Sequence, residues 1–141
     1  FQLAKTLSEH GGVNRGVCQL DESNRLIDIV EVEDIKQSKD GYAGHCFSLG
    51  KRQIRILEKN QLVSMNCWLF TPAIVPALEF ALTNLLNAES YTDTSECYLP
   101  SVVMSQIEDE HLTVRVTTTN DQWFGVTYAQ DAVSIDEKLS P

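Results

Sequence analysis

Hydrophobic and polar positions alternate most regularly between Val17 and Ile35. Val17 and Cys18 lead through Asp21-Glu22-Ser23-Asn24 into a run in which Leu26, Asp28 and Val30 oppose Ile27, Ile29 and Glu31. A period of two marks extended chain, and the four polar residues between the runs are turn formers. The pattern therefore predicts a β-hairpin or a pair of strands. Weaker strand patterns follow at 42–48 and 52–58, separated by Leu49-Gly50. "LVSMNCWLF" at 62–70 is nearly continuous in its apolar character and predicts a buried strand. It places the Asn66 amide among Val, Met, Cys, Trp, Leu and Phe. A buried amide without a partner costs about 1 to 3 kcal/mol, so either the fold or a ligand is expected to satisfy it.

The helical patterns lie elsewhere. "FQLAKTLSEHGG" reads as a short helix stopped by Gly11-Gly12. Thr71-Pro72 carries an N-cap residue followed by a first-turn proline, and the pattern predicts an irregular turn to Pro76 and a helix over 77–88 packed through Leu78, Leu82, Leu85 and Leu86. After an acidic loop at 89–96, Leu99-Pro100-Ser101 opens a short helix to about Ile107. Strands are expected in "HLTVRVTTT" and "WFGVTYA", with a closing helix over 131–139. The order of elements indicates an α/β or α+β domain with helices against a mixed sheet.

Length makes a single domain over residues 1–141 the default, and the abrupt opening on Phe1 suggests that the numbering begins inside a larger protein. The formal charge of −9 argues against nucleic acid and anionic membrane as partners, although His10, Arg15, Lys51, Arg52 and Arg55 leave room for a local phosphate site. Cys18, Cys46, Cys67 and Cys97 lack the spacing of a zinc site and read as reduced, packed thiols, which favours a cytoplasmic location. No secretory leader or membrane span is legible.

No complete P-loop, dinucleotide fingerprint, zinc protease motif or nucleophile elbow occurs. Gly16 could let a ligand approach the backbone at a strand entrance while Arg15 holds a phosphate; turn geometry and a surface arginine explain the pair as well. Glu31 and Glu33 share a side of their strand, where they could bind sugar hydroxyls or a cation, or simply face solvent. Asp131 lies beside a predicted strand-to-helix transition, suited to a ligand-facing carboxylate or to a helix cap. His10, His45 and His111 are too scattered to specify a metal, and Trp68 and Trp123 read first as packing residues.

Taken in order, "TLSEHGGVNRGVCQLDESNRLIDIVEVEDI", "VSMNCWLFTPAIVPALEF", "ECYLPSVV" and "WFGVTYAQDAVSI" resemble the C-terminal half of the sugar-phosphate nucleotidyltransferase, or nucleotide-sugar pyrophosphorylase, superfamily. The resemblance implies part of a GT-A-like mixed sheet with flanking helices, and a parent enzyme that joins a nucleoside triphosphate to a sugar 1-phosphate with Mg²⁺ and releases pyrophosphate. It implies that Gly16, Glu31 and Asn66 form the sugar side of the site, beside which Arg15 is expected to bind the phosphate, and that Asp131, as a displaced substitute, assists the metal. Val32, Glu33 and Asp34 stand where many members carry a lysine, Gly125 occupies the place nearest the second metal aspartate, and the glycine-rich phosphate loop is not found. The chain alone is thus expected to be inactive. The competing expectation is a noncatalytic sugar-phosphate binding or assembly module, with possible homo-oligomers through exposed sheet edges.

Overall fold

The computed structural model describes residues 1–8, 10–48, 50–123 and 125. Their contacts divide into two compact units: Phe1–Gln19 with Val30–Met65 and the chain from Thr117 onward, and Leu20–Ile29 with Asn66–Val116.

The first unit is built on a sheet of five strands, β1 (Val13–Leu20), β2 (Leu26–Ser38), β3 (Gly41–Ser48), β4 (Lys51–Leu57) and β5 (Val63–Ser64), in the order β4-β3-β2-β1-β5. β1 with β5, β2 with β3, and β3 with β4 all pair antiparallel. For β2 with β3 and β3 with β4 the connections impose this. Ser38 pairs with Gly41 and Ser48 with Lys51, so each of these hairpins turns within two residues. Gly41 and Gly50 supply the positive φ, 128° and 71°, that such tight turns require. A parallel neighbour would need a crossover of a dozen residues or more, for which these connections have no length. The expected GT-A-like mixed sheet is therefore corrected: the described sheet is antiparallel throughout.

The predicted hairpin at 17–31 forms and is longer than its pattern indicated. Its turn belongs to the second unit. Asp21 Oδ1 accepts from the backbone N–H of Ser23 and of Arg25, each at 2.8 Å, and Asn24 takes a left-handed φ of 58°. Further along β2, the register slips by one between Glu33 and Lys36, and Asp34 stands in the slip with φ 52°. This β-bulge has a packing consequence. Strict alternation would send Val32 and Ile35 to opposite faces, yet one extra residue lets both join the core with Leu3, Val13, Val17, Tyr42, Cys46, Leu57 and Val63. The bulge also demands small neighbours: a Cβ on Gly44 would lie 2.8 Å from the Glu33 carbonyl oxygen and 2.7 Å from Val32 Cγ1.

The opening segment is not an extended helix. It contains only a 3-10 turn, Leu3–Lys5, and then serves the sheet: Phe1 and Val63 exchange backbone hydrogen bonds of 3.1 and 2.9 Å, and Leu3 N–H donates to the Gln61 carbonyl at 2.8 Å. The outer side of β5 is thereby closed by Phe1–Leu3.

In the second unit, a 3-10 turn Pro72–Ile74 runs into α1 (Val75–Leu86), and α2 (Leu99–Glu108) follows the acidic loop. Proline occupies the first turn of each helix, where its missing N–H costs nothing. The strand expected at 111–119 is reduced to one bridge, Arg25 to Arg115, flanked by Leu26 N–H to Val114 O at 2.9 Å and Val116 N–H to Asn24 O at 2.8 Å. Trp123 and Gly125 are not in a strand, whereas the rest of the expected strand beyond Gly125 and the helix at 131–139 lie outside the described residues.

Candidate functional site

The residues singled out in sequence fall into different units. Arg15 and Gly16 are buried neighbours on β1, with Gly16 opposite Ser64. Arg15 is held closely by protein oxygens. Its Nε donates to Thr6 Oγ1 at 3.2 Å, Nη1 to the Asn14 carbonyl at 2.7 Å, and Nη2 to the Thr6 carbonyl. The guanidinium carbon lies 4.9 Å from the Trp123 ring centroid, a cation–π arrangement. Thr6, which is itself buried, also donates from Oγ1 to the Leu3 carbonyl at 3.0 Å. Each guanidinium nitrogen thus engages this unit's own chain, and sequence reasoning had missed Thr6 altogether. No motif marks a threonine whose partner is nine residues away.

Burial lowers the Arg15 pKa, an effect opposed by Glu31. Glu31 shows the reciprocal balance: desolvation pushes its carboxyl up, Arg15 pulls it down, and Glu33 pushes it up again. The side chain nevertheless reaches the surface. Asp34 is half-buried, and its hydrogen bond from Lys36, at 2.9 Å, chiefly holds its carboxyl below the ordinary range.

Asn66 belongs to the second unit, and its environment differs from the expectation. β5 stops at Ser64, and Asn66 is exposed with φ 53°. The expected burial in a central strand is corrected. Left-handed backbone excludes β-branched residues and is tolerated by asparagine, so the residue type answers to chain direction. Beyond it, Trp68 and Phe70 stack at 5.7 Å, and Leu69 between them is 99% exposed. Asp131 lies outside the described residues. Among those described, no group of three or more His, Cys, Asp or Glu side chains could hold a metal ion.

The second unit carries the more unusual surface. In α1, only Glu79, Thr83 and Asn84 are polar, yet the helix contains no buried residue. Val75, Phe80, Leu82 and Leu86 are all exposed, Phe80 by 69%. Alongside lies an open cleft of about 450 Å³ whose walls include Phe80, Ala81 and Leu85 of α1 and Tyr98, Val102 and Ser105 on the α2 side. In α2, by contrast, Val102 and Val103 are buried, as expected of an amphipathic helix.

Comparison of the chain with models of known protein families and with curated proteins finds no match. The antiparallel sheet removes the structural basis of the nucleotidyltransferase resemblance. Nucleotidyl transfer, and nucleoside triphosphate and sugar 1-phosphate as partners, are corrected with it, since each depended on the GT-A-like arrangement.

Proposed function

We propose that this chain is an assembly module and that α1 is its contact surface. One observation carries the reading: while Ala77, Leu78, Ala81 and Leu85 of this helix are half-buried, its Val75, Phe80, Leu82 and Leu86 stand exposed. An amphipathic helix turns its polar side to water and its apolar stripe to a core, whereas the exposed side of α1 sets four large apolar side chains among Glu79, Thr83 and Asn84. Leaving these four side chains in water forfeits about 25 cal/mol for every Å² of apolar surface that a partner could cover. Contiguous apolar exposure of this kind marks interaction surfaces.

The occupant is a second copy of this chain. Apart from Glu79 the helix carries no charge, and a two-fold contact lets one apolar strip cover itself with Glu79 as its single charge on each copy. The cleft beside α1 offers room for side chains from the facing copy. Sedimentation velocity over a concentration series tests the reading. Wild type should shift from monomer to dimer, while Leu82→Glu with Leu86→Glu should remain monomeric and keep its circular dichroism spectrum. A wild-type chain that stays monomeric up to about 100 μM, which limits the contact to about 5 kcal/mol, overturns it.

A further inference from the structure

The two margins of the sheet are treated differently. The β5 margin is covered by Phe1–Leu3, whereas β4 ends the strand order and no described strand pairs with its outer side. β4 is also regular. Its register with β3 runs unbroken from Tyr42 opposite Leu57 to Ser48 opposite Lys51, and it contains no proline. Such a margin presents ordered N–H and C=O groups to an incoming strand.

Side chains on β4 define which strand. Alternation places Arg52, Ile54 and Ile56 on one face and Lys51, Gln53 and Arg55 on the other. On the first face, Ile54 is 71% exposed and Ile56 58%, and their cross-strand neighbourhood includes Phe47, 66% exposed and opposite Arg52. On the second face, Lys51 and Arg55 flank Gln53. Within β4 there are three cations and no anion, in a chain whose formal charge is −9. Asp34 feels Arg52 and moderates it, while Glu58 follows β4 in sequence. The remaining excess of negative charge acts at long range and is screened beyond about 8 Å at physiological salt.

We propose that β4 is a recognition edge for an extended acidic peptide with apolar residues at alternate positions, added antiparallel to β4. Its apolar side chains continue the strip of Ile54 and Ile56, its carboxylates meet Lys51 and Arg55, and its backbone completes the ladder. Charge decides against a second copy at this edge, because β4 beside β4 would bring three cations against three. This surface is distinct from α1, and the inference stands independently of the assembly reading.

The probe is a fluorescein-labelled synthetic peptide of alternating Val and Glu, titrated with the full chain and followed by fluorescence anisotropy. Two control peptides are used on the unaltered protein: one with Lys replacing Glu, and one with alternate backbone amides N-methylated. Saturable binding of the Val/Glu peptide is expected, with at least a tenfold loss for either control and for Lys51→Glu with Arg55→Glu. Binding should also weaken as salt is raised. Equal binding of the N-methylated peptide would show attraction without strand addition and overturn the proposal. Equal binding of the Lys peptide, absence of binding at millimolar protein, or dimerisation that Ile54→Lys abolishes would overturn it too.

Discussion

Asn66 illustrates how one residue type can answer to two different physical demands. In sequence its neighbours are apolar, which made a buried amide seeking partners the natural expectation. In the fold the same residue is exposed at φ 53°, where the chain leaves β5. A non-glycine residue in left-handed backbone costs about 1 to 2 kcal/mol, asparagine less than most and valine more. Asn66→Gly should therefore leave the midpoint of urea unfolding unchanged or raise it, while Asn66→Val should lower stability by about 1 to 2 kcal/mol. Equal stability of the two variants would show that the backbone conformation is not what selects asparagine. Arg15 shows the opposite displacement. Its isolated position suggested a surface cation or a phosphate ligand, and it is instead buried among Thr6, Asn14 and Trp123. A dipeptide cannot reveal that a carbonyl and a ring from remote segments will meet it.

Among elements, the hairpins were the most legible. The hairpin expected at 17–31 and the strands expected at 42–48 and 52–58 are found, within the longer or shifted bounds 13–20, 26–38, 41–48 and 51–57, because alternation and the Asp-Glu-Ser-Asn and Leu-Gly turns are local properties. The bulge at Asp34 was not visible, since a slip in register exists only between two paired strands. Its packing requirement is testable at Gly44, where an added Cβ would meet the Glu33 carbonyl oxygen at 2.8 Å and Ile35 Cγ1 at 2.9 Å. Gly44→Ala should cost about 1 to 3 kcal/mol by overpacking, as measured by chemical denaturation. A neutral substitution would mean that β2 moves away from β3 without loss. Length misled elsewhere. The apolar run at 62–70 looked like one strand, yet only Val63–Ser64 pairs, because extended hydrogen bonding ends where the backbone turns left-handed at Asn66.

For the whole molecule, two carboxylates with opposite shifts separate the pH dependence of stability. Glu31 is raised above its ordinary 4.5 by desolvation, so in the window from 4.5 up to its folded value the native state holds more protons than the unfolded one. Stability then falls as pH rises through that window. Asp34 is lowered from 3.8, chiefly by Lys36, and contributes stability that is present above that value and lost as pH falls through its folded pKa. Glu31→Gln should remove the decline above 4.5 while leaving the acid limb below 3.8 in place, when unfolding midpoints are followed across pH. An unaltered decline would assign the slope to other groups.

Sequence by itself determined the existence of the strands before Leu57, the proline-led helix starts and the excess of acidic residues, because propensity, periodicity and charge act over a few neighbouring positions or none. Motif order also suggested a nucleotidyltransferase half, and that suggestion did not survive the direction of the strands. Strand direction depends on connection length and on which segments pair, as does the covering of one sheet margin by Phe1–Leu3 and the exposure of β4 at the other. Only the tertiary structure decided these matters. The same reason explains α1: its leucines predicted a packed face, but packing requires a second surface, and among the described residues Leu82 and Leu86 stay exposed.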